Sequence, residues 1–162
     1  MSKEIFVNQR NISLQIWDTA GQERFQSLGG GFYRGSDCCL LVYDIADEAS
    51  FESLDTWKEQ FLKAVSPSNP EQFPFIVAGN KCDLENDRKV PKEKAEEWCK
   101  MNNNIPLYEV SAKENTNVEE MFVEIGKMVS AGSEEEEMYN VQSVKIDHTT
   151  TQKKSGGCAC WV

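Results

Sequence analysis

Two uninterrupted apolar runs constrain the fold of this chain more than any other feature. Residues 38–43 (CCLLVY) and 75–79 (FIVAG) carry no charged side chain, and residues 107–110 (LYEV) form a shorter third run. Apolar runs without alternation are typical of strands that are covered on both faces. Apolar residues at helical spacing occupy the segments between and after them, at 50–65, 92–101 and 118–129. Strands that alternate with helices predict an α/β fold with a mostly parallel sheet and helices on both faces.

The two ends of the chain follow other patterns. Residues 4–7 and 12–17 alternate between apolar and polar and are joined by the polar residues 8–11, which predicts an antiparallel hairpin. After residue 131 the periodic pattern stops, and four consecutive glutamates at 134–137 precede a polar, Gly-rich segment. We therefore expect one compact domain over residues 1–131 and a disordered tail over residues 132–162.

Composition excludes several classes of protein. The net charge of -10 disfavours nucleic acid as a partner, because phosphate binding needs a basic face. The N-terminus lacks the layout of a secretory signal, and no apolar run is long enough to span a bilayer. Six cysteines without C-x-x-C spacing favour free thiols over a disulfide or zinc framework. We expect a cytosolic protein.

Polar groups follow three of the predicted strands, at the ends where ligands bind in doubly wound folds. They are Asp18 in DTAGQ, then Asn80, Lys81 and Asp83 in NKCD, then Ser111, Ala112 and Lys113 in SAK. Their types and order match what a guanine-nucleotide site requires, which makes these three loops the candidate site.

The NKCD segment suits recognition of guanine. The Asp83 carboxylate can accept two hydrogen bonds from N1 and N2 of guanine, an edge that adenine does not offer. Lys81 can lay its stem along the base, Asn80 can tie this loop to its neighbours, and the backbone N–H of Ala112 can donate to the guanine oxygen. The alternative is an ordinary polar turn, which the nearby SAK segment makes less attractive.

The DTAGQ segment suits metal and phosphate. Asp18 can hold Mg²⁺, usually through a water, because this small ion dehydrates reluctantly. Gly21 allows the backbone to approach a γ-phosphate, and Gln22 can orient the attacking water. An isolated D-x-x-G would be weak evidence, since Gly after an acidic residue is usually a turn.

These motifs together resemble the Rab small GTPases over residues 3–129. The resemblance is carried by WDTAGQERF at 17–25, FYRGS at 32–36, LVYDI at 41–45, NKCD at 80–83 and SAK at 111–113. Within the Rabs, the segments SPSNPEQFPFIVAGNKCDLE and NNIPLYEVSAKE look most like the late-endosome and lysosome branch.

The resemblance implies a P-loop small-GTPase fold and a switch that regulates vesicle trafficking. It implies GTP or GDP and Mg²⁺ as cofactors, and effectors, a GTPase-activating protein, an exchange factor and an escort protein as partners. It places the protein on the cytosolic face of late-endosome and lysosome membranes, with a cytosolic pool. It also implies that Trp17 and Phe32 belong to an exposed effector surface, whereas two packed core aromatics are the open alternative.

The sequence departs from the family at the phosphate loop. No G-x-x-x-x-G-K-[ST] segment occurs in the 162 residues, and the family places this loop and the first strand before residue 3. We therefore expect an incomplete fold with its first strand missing and two inner sheet edges exposed. Two other hypotheses stay open: a binding module that competes for Rab partners without gripping GTP, and a wrongly assigned start.

The last residues resemble a Rab prenylation site. Cys158 and Cys160 form a C-A-C arrangement, and Trp161 and Val162 follow it. A C-a-a-X box needs Cys fourth from the end, where this chain has Ala159. The resemblance implies two geranylgeranyl chains, which anchor a protein to membranes stably where one chain does not. Two unmodified thiols are the alternative.

Overall fold

The computed structural model describes residues 1–19 and 33–141. Within them the chain forms two separate sheets, a two-stranded antiparallel hairpin and a three-stranded parallel sheet. Four α-helices and a 3₁₀ helix, Cys82–Asp87, complete the described elements. No helix among these residues is long and apolar enough to cross a membrane.

The hairpin pairs β1 (Ser2–Val7) with β2 (Arg10–Gln15). Asn8 and Gln9 form a two-residue turn with φ of 50° and 64°, a left-handed backbone that matches the twist of hairpin strands. The connection is therefore shorter than the four residues that the sequence predicted. The second strand also ends at Gln15, two residues before the predicted end, although backbone hydrogen bonds between Met1 and Ile16 extend the pairing.

The parallel sheet contains β3 (Cys39–Asp44), β4 (Phe75–Asn80) and β5 (Leu107–Glu109), in that order. The predicted strands and their parallel arrangement are confirmed. The central strand β4 is buried on both faces because it alternates between two cores. Phe75 and Val77 join one core, whereas Ile76 and Ala78 join the other.

Helices cover both faces of the parallel sheet, as predicted. The helices α1 (Glu48–Glu52), α2 (Leu54–Val65) and α3 (Lys92–Met101) pack on the core that contains Phe75. The helix α4 (Val118–Val141) and the hairpin enclose the other core. A Cβ atom at Gly126 of α4 would collide with the Ile5 side chain of β1, so this glycine allows the close approach of helix and hairpin.

Two helix predictions were wrong in their bounds. The single helix expected over 50–65 is broken at Ser53, whose hydroxyl donates to the Ala49 carbonyl at 2.8 Å and thereby ends α1. The last helix continues to Val141, twelve residues beyond its predicted end at residue 129. Glutamate is a good helix former, and the acidic run therefore extends α4. Residues 142–162 lie outside the described part, so a disordered tail there stays a prediction.

Candidate guanine-nucleotide site

The ends of β4 and β5 bring two of the predicted loops together. The Val110 N–H donates to the Gly79 carbonyl at 2.8 Å, and the Cys82 N–H donates back to the Val110 carbonyl at 3.0 Å. These bonds continue the parallel pairing past the last paired residues, Gly79 and Glu109. The NKCD and SAK segments are therefore joined along the edge where ligands bind in this class of fold.

Asn80 links the two loops through its side-chain oxygen. Its Oδ1 accepts the Lys81 N–H at 2.8 Å and the Ala112 N–H at 3.1 Å. The Ala112 N–H, which the sequence assigned to the guanine oxygen, thus already has a protein acceptor. A bound guanine would have to share or replace that hydrogen bond.

Asp83 is held by a buried hydroxyl. Ser111 is 0% exposed, and its Oγ donates to Asp83 Oδ1 at 2.6 Å while it accepts the Glu114 N–H at 3.0 Å. Lys113 Nζ lies 3.9 Å from Asp83 Oδ2. The Ser111 hydrogen bond lowers the pKa of the Asp83 carboxyl below its ordinary value, so the group is a carboxylate at neutral pH. An ionised carboxylate accepts up to four hydrogen bonds, which leaves acceptor capacity for N1 and N2 of guanine.

Lys81 and Asp44 form an ion pair that the sequence did not predict. Lys81 Nζ lies 2.6 Å from Asp44 Oδ2, and the Lys81 backbone is left-handed with φ of 64°. Burial acts to raise the pKa of the Asp44 carboxyl, but hydrogen bonds from Lys81 and from the Ala46 N–H outweigh it and hold that pKa low. Asp44 ends β3 in the LVYDI segment, so the strand-end rule that selected Asn80 indicates it equally well.

The described residues include both segments that the sequence assigned to the base, NKCD and SAK, but only part of the DTAGQ segment that it assigned to metal and phosphate. Asp18 is exposed and follows the hairpin, beyond the end of β2 at Gln15, and is not part of the parallel sheet. Among residues 1–19 and 33–141, no group of three or more His, Cys, Asp or Glu side chains could hold a metal. One exposed carboxylate does not make a magnesium site. The Asp83 carboxylate and the backbone N–H of Ala112 at the ends of β4 and β5, in contrast, have the hydrogen-bonding chemistry that suits the edge of a guanine base.

Several predicted site residues fall outside the described part of the chain. These are Gly21, Gln22, Phe32, Cys158 and Cys160. Trp17 is described and is 62% exposed, which does not fit a packed core aromatic and agrees with a surface position. Its proposed role toward effectors stays a prediction.

Known proteins resemble this chain over nearly all of its length. The Ras family model matches residues 1–131. "Ras-related protein Rab-7a" of Paramecium octaurelia is 51% identical over 160 residues, which cover 98% of this chain and 78% of that protein. "Ras-related protein RABG3a" of Arabidopsis thaliana is 51% identical and "Ras-related protein Rab7" of Pisum sativum is 50% identical, each over 99% of this chain and 78% of the relative.

These matches include the segments that form the site. The NKCD and SAK loops, which the structure joins through Asn80 and Ser111, lie inside the region that the family model matches. The chain therefore belongs to the Ras family and, within it, to the Rab7 branch of the Rab small GTPases.

Proposed function

We propose that this protein is a Rab GTP-binding protein and GTPase that regulates vesicle trafficking at late endosomes and lysosomes. We further propose that the 162-residue chain is an N-terminally truncated form of it. The observation that carries the nucleotide proposal is the Ser111 to Asp83 hydrogen bond of 2.6 Å, which holds an ionised carboxylate beside the Asn80 to Ala112 link. When a site recognises the guanine edge through a carboxylate, a wrong base leaves buried polar groups unpaired. Such a site therefore discriminates strongly between guanine and other bases.

In this proposal the two halves of the site have separate tasks. Asn80, Lys81, Asp83, Ala112 and their neighbours bind and orient the base. As the resemblance implies, Asp18 would be one of several Mg²⁺ ligands in the full-length protein, Gly21 would approach the γ-phosphate and Gln22 would position water. The metal, when bound, neutralises charge on the phosphate oxygens. A phosphate loop, which supplies a row of N–H donors and a lysine, belongs to the full-length protein in this account.

Membrane attachment is the second part of the proposal. Cys158 and Cys160 receive the prenyl groups, an escort protein delivers the chain, and effectors bind a surface that includes Trp17 and Phe32. The exposed position of Trp17 supports the last point. Two attached chains give stable anchoring, so replacement of either cysteine by Ser should shift the protein from membranes to the cytosol.

One observation favours a second candidate function. The 162 residues contain the base-binding loops but no G-x-x-x-x-G-K-[ST] segment. A chain with these features is also suited to act as a prenylated binding module that occupies Rab partners without binding GTP tightly. The two candidates differ in whether the cellular protein carries a phosphate loop upstream of Met1.

Nucleotide retention separates the candidates. We expect the 162-residue chain to purify without Mg²⁺-dependent GTP, whereas the same chain extended at its N-terminus by the phosphate-loop segment of a Rab relative should retain GDP or GTP. Asp83→Asn in the extended chain is the matched control, since it keeps the side-chain shape and should abolish the preference for guanine over adenine. Stoichiometric nucleotide on the unextended chain would overturn the truncation account, and no gain on extension would overturn the GTPase proposal.

The transcript upstream of Met1 gives an independent answer. Read in frame, it should encode Gly-x-x-x-x-Gly-Lys followed by Ser or Thr if the GTPase proposal holds for the cellular protein. Absence of that segment would leave the binding module as the function of the translated chain.

A further inference from the structure

Arg88 forms ion pairs with one carboxylate beside each of the two proposed base-binding loops, Glu85 after NKCD and Glu109 before SAK. Its guanidinium donates to both oxygens of Glu85, at 2.7–3.0 Å. It also donates to both oxygens of Glu109, at 2.6 and 3.1 Å, and to the Val90 carbonyl at 3.1 Å. One side chain therefore joins two carboxylates and one backbone carbonyl from separate positions of the chain.

These ion pairs are not ordinary surface contacts. The Arg88 side chain is 15% exposed and that of Glu109 is 19% exposed, whereas Glu85 is 66% exposed. Removing one partner of a shielded pair leaves the other charge poorly solvated. Lysine cannot reproduce the planar fork that engages two carboxylates at once. The geometry thus depends on arginine specifically.

The two carboxylates lie next to the residues that bind the base. Glu85 is two residues beyond Asp83 in the 3₁₀ helix, and Glu109 is two residues before Ser111 at the end of β5. The Glu109 carbonyl also accepts the Asn117 side-chain amide at 2.8 Å. Arg88 therefore connects the segment that carries Asp83 to the segment that carries its hydroxyl partner.

The backbone beside Arg88 reaches the third loop. The N–H groups of Lys89 and Val90 donate to the Ile45 carbonyl at 2.9 and 3.0 Å. Ile45 follows Asp44, the acidic partner of Lys81. The same short segment thus fixes the end of β3 relative to the ends of β4 and β5.

We propose that Arg88 is a positioning residue for guanine recognition. It holds the NKCD and SAK loops in the arrangement that the base requires, before any nucleotide binds and without touching the nucleotide. This inference rests on the proposed guanine-binding function of the same site. It predicts local loosening when Arg88 is replaced, rather than a uniform loss of stability.

The test combines amide hydrogen exchange with GDP titration of the full 162-residue chain. In nucleotide-free Arg88→Met, the amides of Lys81 and Ala112 should exchange about tenfold faster. This factor is roughly what the loss of one charged hydrogen bond would produce by lowering the free energy of local opening. Amides of the hairpin should keep their rates. Arg88→Lys should restore part of the protection, and Glu85→Gln, at the exposed partner, should loosen the NKCD loop alone. GDP affinity measured by NMR titration should fall about tenfold in Arg88→Met.

Lys63→Met is the matched control, because it removes a cation from the fully solvated pair with Glu59. It should leave both exchange and GDP affinity unchanged. Unchanged rates at Lys81 and Ala112 in folded Arg88→Met, or equal acceleration of every amide including the hairpin, would overturn the positioning role. Failure of the wild-type chain to bind GDP even when it is extended by the phosphate-loop segment would count against the proposed function alone, since the exchange measurement still decides the role of Arg88.

Discussion

Replacement of Tyr43 by Phe is expected to stabilise the folded protein. Tyr43 is 1% exposed, and its hydroxyl has no hydrogen-bond partner among the residues that the structure describes. The hydroxyl lies against Gly79, where a Cβ atom would approach it to 2.6 Å. The ring packs edge-on against Phe51, with centroids 5.2 Å apart. Phe keeps that ring contact and removes only the desolvated oxygen.

The size of the effect follows from the burial of that oxygen. A buried polar group without a partner destabilises the folded state by about 1–3 kcal/mol. The small void left by the oxygen offsets part of the gain. We therefore expect Tyr43→Phe to raise the free energy of unfolding by about 1–2 kcal/mol at pH 7, which corresponds to a melting temperature higher by roughly 3–6 °C.

Alkaline pH should enlarge the difference. Burial, with a smaller contribution from Glu109, raises the pKa of Tyr43 to about 12. Because the pKa of Tyr43 is higher in the folded protein than in the unfolded chain, the stability of wild type is fully present below about pH 10 and falls as pH rises toward 12. Relative to wild type, Tyr43→Phe should gain about a further 1.4 kcal/mol at pH 11.

Urea unfolding followed by circular dichroism at pH 7, 9 and 11 measures both effects. Tyr33→Phe is the control, because Tyr33 is only partly buried and the change should stay within about 0.5 kcal/mol. The reasoning is refuted if Tyr43→Phe is less stable than wild type at pH 7, or if the difference between them is the same at pH 9 and pH 11.

Two further predictions test the site and the packing of the hairpin. Ser111→Ala should lower stability by about 1 kcal/mol or more, through the lost hydrogen bonds of a buried hydroxyl, and should raise the pKa of Asp83 toward its ordinary value. Because its pKa is lowered in the folded protein, the Asp83 carboxylate stabilises the fold at neutral pH, and this stabilisation is lost as pH falls through the carboxyl range. Ser111→Ala should therefore lose less stability in acid than wild type does. An Asp83 pKa that NMR finds unchanged in the variant would contradict this. Gly126→Ala should destabilise the Ile5→Val variant less than it destabilises wild type, because valine lacks the colliding Cδ1. A double-mutant cycle should give a coupling free energy of about 1 kcal/mol. Strictly additive effects would count against the contact.

The parts of the fold that the sequence predicted are those that local patterns determine. The uninterrupted apolar run at β4 could only be a strand that is covered on both faces, and its residues do alternate between two cores. The helix Lys92–Met101 matches the predicted bounds. The strand-end rule then selected Asp83 and Ser111, which are hydrogen-bonded to each other, and Asn80, which accepts the N–H of Ala112.

The parts that the sequence missed depend on contacts distant in the chain or on competing local signals. A break at Ser53 divides a helix within a continuous apolar pattern, and the Ser53 hydroxyl shares the Ala49 carbonyl with the Ser53 backbone N–H. The glutamates at 134–137 lie in the segment expected to be a disordered tail, although glutamate favours helix. Arg88 and Glu109 are 21 residues apart, and only the register of β5 beside β4 reveals that they meet.

The NKCD and SAK loops are held by contacts among the parallel sheet and the segments that follow its strands. Its hydrogen bonds and ion pairs join residues of β3, β4, β5, the 3₁₀ helix and the SAK loop, and none of these contacts involves the hairpin that precedes Asp18. We therefore expect the loops that we propose to select guanine to keep their arrangement whether or not a phosphate loop is joined to the chain. In that proposal a phosphate loop adds affinity to a base site that is already formed. It predicts that guanine preference and nucleotide retention are separable, with Arg88 acting on the first through the loops and an N-terminal extension acting on the second.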